Sequence, residues 1–194
     1  MKTRITLILA ATLFAAIFAN AQSHGKRIAE IRETYANRLN MMNDKPFEDQ
    51  MFNEACIDVA QNLPGSGMHE RHEKYYFTQQ QYSYDGSEDS KLYFLTCKIT
   101  YAMGIHSYYW EFLWDPEKGD PMFALLVREE GDAKQEYRFY FENSKVIKVA
   151  PAVKDWPVKD DSMSLHPQTI EKPADVLKLM DSYQANFKRL VYHD

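Results

Sequence analysis

Two hydrophobic periods divide the chain. Ile28, Ile31, Tyr35, Leu39 and Met42 recur at spacings of three and four, with Arg27, Glu30, Arg32, Glu33 and Arg38 between them. That pattern predicts an amphipathic helix, with Ser23 as its N-cap and Lys45-Pro46 as its stop. Met51–Asn62 reads as a short helix or an irregular connection, and Pro64-Gly65-Ser66-Gly67 reads as a loop. From about Lys74 the period becomes two. Candidate strands are Lys74–Ser83, Leu92–Met103, Ser107–Asp115, Met122–Glu129, Gln135–Glu142 and Val146–Val149. In the second, Tyr93, Leu95, Cys97, Ile99 and Tyr101 share a face. In the third, Tyr108, Trp110, Phe112 and Trp114 do; in the fifth, Tyr137, Phe139 and Phe141. The turns between them are short, with Gly131-Asp132 and Asn143-Ser144 the tightest. After an irregular stretch from Pro151 to Pro167, a last helix starts near Pro173. Its apolar stripe is Val176, Leu177, Met180, Tyr183, Phe187, Leu190 and Val191, and Lys188 and Arg189 suit its negative pole.

A meander with one apolar face must cover it, and the amphipathic helices are the available covers. The expected fold is therefore α+β: an antiparallel meander of about six strands, with the N- and C-terminal helices packed on one face. The other face carries Tyr84, Tyr109 and Tyr140.

The first 21 residues stand outside this domain. Lys2 and Arg4 precede an uncharged apolar run, Ile5–Phe18, and Ala19-Asn20-Ala21 supplies small residues for cleavage. This is the layout of a secretory signal peptide, and the run is shorter than the roughly 20 residues a membrane-spanning helix needs. The expectation is a cleaved signal at 1–21 and a single exported domain at 22–194, periplasmic or extracellular, with no membrane span. Removing Lys2 and Arg4 from 23 basic residues leaves 21 against 28 acidic ones, a formal charge of −7. Such a surface argues against a nucleic-acid partner, which calls for a clustered basic face. The 13 Tyr, 11 Phe and 3 Trp favour strands with large buried side chains.

Few constellations carry chemistry. His69-Glu70-Arg71-His72-Glu73 offers His69 and His72 as metal ligands, though the spacing is not that of a zinc-protease helix, and a solvated polar run is the simpler reading. Tyr109, Tyr140 and Trp156 are candidates to stack on a sugar or a peptide if they share the open face. Carboxylate pairs such as Glu129-Glu130 and Asp160-Asp161 fall in turns and loops, where they solubilise. Asp115–Asp120 has the wrong ligand spacing for calcium and reads as a hairpin turn. No phosphate-binding glycine loop, dinucleotide fingerprint or nucleophile elbow is present, so no cofactor is called for. Cys56 and Cys97, with forty intervening residues, either form one disulfide or remain two thiols.

Gln22-Ser23-His24-Gly25 leading into Ile28–Arg32, Leu63–Gly67, Glu111–Asp115 and Glu136–Phe141 together resemble segments of a group of small exported proteins from Gram-negative gut anaerobes. The resemblance implies export and supplies no catalytic residues. The outline is also similar to cystatin-like folds, which host binding modules, inhibitors and enzymes alike. The leading expectation is a non-catalytic binding domain for a protein, small-molecule or glycan ligand. The alternatives are a small hydrolase or metal-dependent enzyme, and an inhibitor acting through its hairpin loops at 115–120 or 130–133.

Overall fold

The computed structural model describes residues 23–42, 52–65, 67–84, 87–152, 170 and 172–191. The signal segment, Trp156 and most of the irregular stretch around it lie outside the described residues.

Helix α1 (residues 23–42) follows the helical period, with its less exposed positions at 24, 27, 28, 31, 34, 35, 38, 39 and 42. Arg27 pairs with Glu30 one turn on at 3.4 Å, and the Thr34 hydroxyl donates back to the Glu30 carbonyl. α1 up to Asn40 belongs to a compact unit separate from the rest of the chain.

The remainder is a seven-stranded antiparallel sheet and one helix. The strands are β1 (Asn53–Leu63), β2 (Gly67–Tyr84), β3 (Ser87–Met103), β4 (His106–Trp114), β5 (Pro121–Glu130), β6 (Ala133–Glu142) and β7 (Lys145–Ala150); helix α2 is Asp175–Val191. Each strand pairs with the next in sequence, so the sheet order is β1-β2-β3-β4-β5-β6-β7. The α+β class and the meander are as expected, but there are seven strands rather than six. The extra one is β1, where a short helix or an irregular connection was anticipated. β2 also begins at Gly67, seven residues before its predicted start, and takes in the whole His69–Glu73 run.

Period two places one set of side chains on the face that α2 covers, here called the inner face. One cross-strand line of that face reads Ala55, Tyr75, Cys97, Phe112, Ala124, Phe139 and Val149. The next reads Ile57, Glu73, Ile99, Trp110, Leu126 and Tyr137. Val176, Met180, Tyr183 and Phe187 of α2 pack on these lines in the same apolar cluster. Phe187 is the anchor: it stacks on Phe94 at 4.4 Å between ring centres and touches Tyr75 and Phe77.

Two positional expectations are corrected. β3 does not hold Tyr93 through Tyr101 on one face, because the register shifts opposite Tyr76/Phe77 and leaves Leu95 as an extra residue. Leu95 therefore packs on the outer face with Phe52 and Tyr76, while Cys97, Ile99 and Tyr101 stay inside. Leu190, assigned to the apolar stripe of α2, is exposed. The Asn143-Ser144 turn is as read: both residues have positive φ, 50° and 55°, matching a two-residue hairpin whose twist follows that of its strands.

Candidate functional site

The inner face does not remain apolar to its end. Beyond the two lines covered by α2, the same register continues into Val59, Arg71, Tyr101, Tyr108, Arg128 and Gln135, and then into Gln61, His69, Met103, His106, Glu130 and Ala133. The alternation that puts Trp110 and Phe112 in the core thus also turns His106, Arg128, Arg71 and His69 to the inner side.

Two polar groups stand on this surface, about three strand spacings or roughly 14 Å apart. On β2, His69 is buried and its Nδ1 meets the Tyr101 hydroxyl at 2.7 Å. Beside it Arg71 Nε lies 2.8 Å from Glu73 Oε1, and the Tyr75 hydroxyl donates to the other Glu73 oxygen. The Arg71–Glu73 contact is short, but its N–H does not aim at the oxygen, so it is a Coulombic pair without a formed hydrogen bond. Glu73 is 1 % exposed and sits under the helix. Burial raises the pKa of the neighbouring acids Tyr75, Tyr183 and Cys97, and the nearby Glu73 charge pushes each further in the same direction.

On β4 and β5, Arg128 is 4 % exposed. Its Nη2 reaches His106 Nδ1 at 2.9 Å and Glu130 Oε2 at 3.1 Å, and its guanidinium lies 5.9 Å from the centre of the Tyr108 ring. His106 Nδ1 is in turn 3.3 Å from Glu130. Tyr108 links the two groups, with ring centres 6.0 Å from Tyr101. Burial raises the Tyr108 pKa, against the pull of the Arg128 charge.

Several buried polar atoms here have no hydrogen-bond partner among the described residues: His69 Nε2, Arg128 Nε and Nη1, and Gln135 Oε1. A small cavity of about 10 Å³ adjoins the last two residues, lined by Arg128, Glu130, Ala133 and Gln135. Each orphaned group costs on the order of 1–3 kcal/mol until a partner reaches it.

The residues singled out from sequence are distributed differently. His69 and His72 are three apart on a strand and therefore face opposite sides of the sheet. His69 lies inside on Tyr101, whereas His72 is exposed and bound to Asp58 at 2.6 Å. They are not brought together, and no cluster of three metal-ligating side chains occurs among the described residues. Tyr109 and Tyr140 do share the outer face. Tyr109 sits in the line of Thr100 and Val127, whereas Tyr140 lies two lines away, buried against Phe123 at 5.3 Å. The Tyr109 hydroxyl donates to Glu111, and the residue borders an outer groove of about 280 Å³ with Thr100, Ser107, Val127, Glu129 and Lys134. Trp156 lies outside the described residues. Cys56 and Cys97 are free thiols on opposite faces, the first exposed and the second buried, so they do not form the disulfide considered above.

Sequence reasoning gave no role to Arg128, His106 or Gln135, read Glu130 as a solubilising turn carboxylate and placed Tyr101 only on a strand face. The available signal was phase: each sits an even number of residues from a core aromatic or aliphatic of its own strand. No helix among the described residues is long and apolar enough to cross a membrane. Comparison with protein-family models, curated proteins and solved structures finds no match to this chain.

Proposed function

We propose that the protein is an exported, non-catalytic binding domain whose ligand seat is the polar end of the inner face. The observation that carries this reading is Arg128: a buried guanidinium with two nitrogens that have no partner among the described residues, beside a Gln135 oxygen equally without one. A folded domain gains nothing in stability from leaving such atoms unmet, so they call for a partner beyond the described residues, and we infer that a ligand supplies it or displaces an ordered water that does. The half-exposed His106 and Glu130 form the rim through which it enters, over the buried Arg128 floor. The chemistry suits a small polar molecule whose acceptor takes one N–H of Arg128, at Nε or Nη1 on either side of the occupied Nη2, while a donor meets Gln135.

The direct test is native mass spectrometry of the protein purified from the envelope of its own host. Added mass that disappears on denaturation, and is lost in Arg128→Met, is the expected result. A bare chain mass for both proteins overturns the reading. A second reading rests on Tyr109, which offers a ring beside the hydroxyls of Thr100 and Ser107, a surface suited to a glycan. Loss of the bound mass in Tyr109→Ala, with retention in Arg128→Met, would favour it.

A further inference from the structure

The hairpin of β2 and β3 outruns the sheet. The β3–β4 ladder ends at Thr96↔Leu113, yet β3 continues back to Ser87, paired only with β2: Tyr93 with Thr78, Leu92 with Gln79, Lys91 with Gln80. On its β4 side, Lys91–Tyr93 therefore presents a strand edge that no other described strand covers. An edge of this kind is a template for a further strand.

Beside that edge runs a groove of about 240 Å³, at the opposite end of the inner face from the polar seat. Its floor is the stacked pair Phe94 and Phe187. Its far wall is the turn at 116–119 together with the last turns of α2. The wall is fixed: Asp115 Oδ1 accepts from the backbone N–H groups of Glu117 and Lys118, and Gln184 Nε2 donates to the Gly119 carbonyl at 3.1 Å. Gly119 has φ +74°, and a Cβ there would come within 3.3 Å of Gln184 Nε2, so glycine suits both the turn and its contact with the helix. Two lysines, Lys118 and Lys188, line the groove against its single lining acid, Glu117, while Lys91 borders it at the edge with its ammonium 4.8 Å from the centre of the Tyr93 ring on the outer face. On a chain whose formal charge is −5, this is a local inversion of sign.

We propose that this groove docks an extended acidic segment of a partner protein, which adds as a strand to the Lys91–Tyr93 edge. Its backbone pairs with β3, an apolar side chain rests on Phe94 and Phe187, and its carboxylates meet Lys118 and Lys188. Main-chain pairing supplies affinity, and the charged rim and aromatic floor supply selectivity. The seat is independent of the Arg128 end, so either can fail without the other.

The probe is a fluorescein-labelled peptide of about eight residues alternating glutamate with valine or phenylalanine, long enough to cover the edge. Two controls accompany it: the same peptide with lysine for glutamate, and one N-methylated on alternate backbone nitrogens. Fluorescence anisotropy should show saturable binding of the acidic peptide, weakened about ten-fold or more by N-methylation or by the pair Lys118→Glu and Lys188→Glu. Both lysines are exposed, and circular dichroism checks that the paired variant keeps its fold. Equal binding of the lysine peptide or of the N-methylated peptide overturns the proposal, as does unchanged affinity in the paired variant. Absence of saturable binding overturns it too. So does sedimentation showing that the same pair of changes turns a dimer into a monomer, which would assign the groove to a second copy of this chain.

Discussion

Arg128→Met is the substitution whose outcome separates a binding seat from ordinary internal packing. The arginine brings two buried nitrogens, Nε and Nη1, with no partner among the described residues. Relieving them returns about 1–3 kcal/mol each. Against this stand three losses. One is the bond to His106 at 2.9 Å, and another is the bond to Glu130, whose partial exposure discounts it. The third is the contact with the Tyr108 ring, worth about 0.5–1 kcal/mol. The losses together come to roughly 2–3 kcal/mol. Methionine keeps most of the apolar stem, so little packing is forfeited. The balance favours the variant by about 1–2 kcal/mol in the ligand-free protein, a rise in Tm of roughly 3–6 °C for a domain of this size. Urea unfolding followed by tryptophan fluorescence reads it directly, since Trp110 and Trp114 are both buried. The expected pattern is greater stability together with loss of ligand. A destabilisation of about 2 kcal/mol or more would show that the two nitrogens are already satisfied, and the case for a seat at Arg128 would fall with it.

Three further outcomes follow from the packing and the buried acids. Phe187→Ala removes the residue that seats α2 on Phe94, Phe77 and Tyr75, and should cost about 3–5 kcal/mol in urea unfolding; a loss under about 1 kcal/mol would mean that the helix is held elsewhere. The pKa values of Tyr75, Tyr183 and Cys97 are raised in the folded state, so the unfolded chain releases their protons first as pH climbs. Stability should therefore fall above about pH 8.5 through Cys97, and more steeply above about pH 10, by roughly 1.4 kcal/mol per pH unit for each tyrosine; flat stability from pH 9 to about 11 would contradict their burial. A thiol reagent should label Cys56 in the native protein and Cys97 only after unfolding, with no disulfide detected before reduction.

The sequence carried the fold wherever a strand's inward positions were apolar throughout. Ser107–Asp115 alternates Tyr108, Trp110, Phe112 and Trp114 without interruption, and the observed β4 matches it to within a residue at either end. Reading stopped where polar residues took over the inward phase. β2 begins with His69, Arg71 and Glu73 turned inside, in step with Tyr75, so the strand shows no hydrophobic period until its core half and its first seven residues looked like a solvated run. β1 escaped for a different reason: its inward side chains, Ala55, Ile57 and Val59, are small and few, as an edge strand allows, and its alanines and acids suit a helix equally well. The faces of β3 were misassigned because a bulge at Leu95 inverts the alternation, and nothing local in Leu92–Met103 announces it.

The strand segments that hid from the hydrophobic pattern are also those that build much of the polar surface. His69, Arg71 and Glu73 hide half of β2, and Arg128 and Glu130 close the end of β5, because the chain spends core-facing positions on groups that do nothing for the core. A sheet selected for stability alone would continue the line of Trp110 and Leu126 with aliphatics at 71, 106 and 128. Tryptophan, phenylalanine and leucine at the α2 end give way to arginine one register step beyond Trp110, and to histidine and glutamate two steps beyond. The surplus stability of the aromatic end makes the unsatisfied atoms of the other end tolerable. The division explains why a chain so rich in apolar periodicity shows no functional motif: its candidate site is assembled across five strands, one to three residues from each, and becomes visible only through the register.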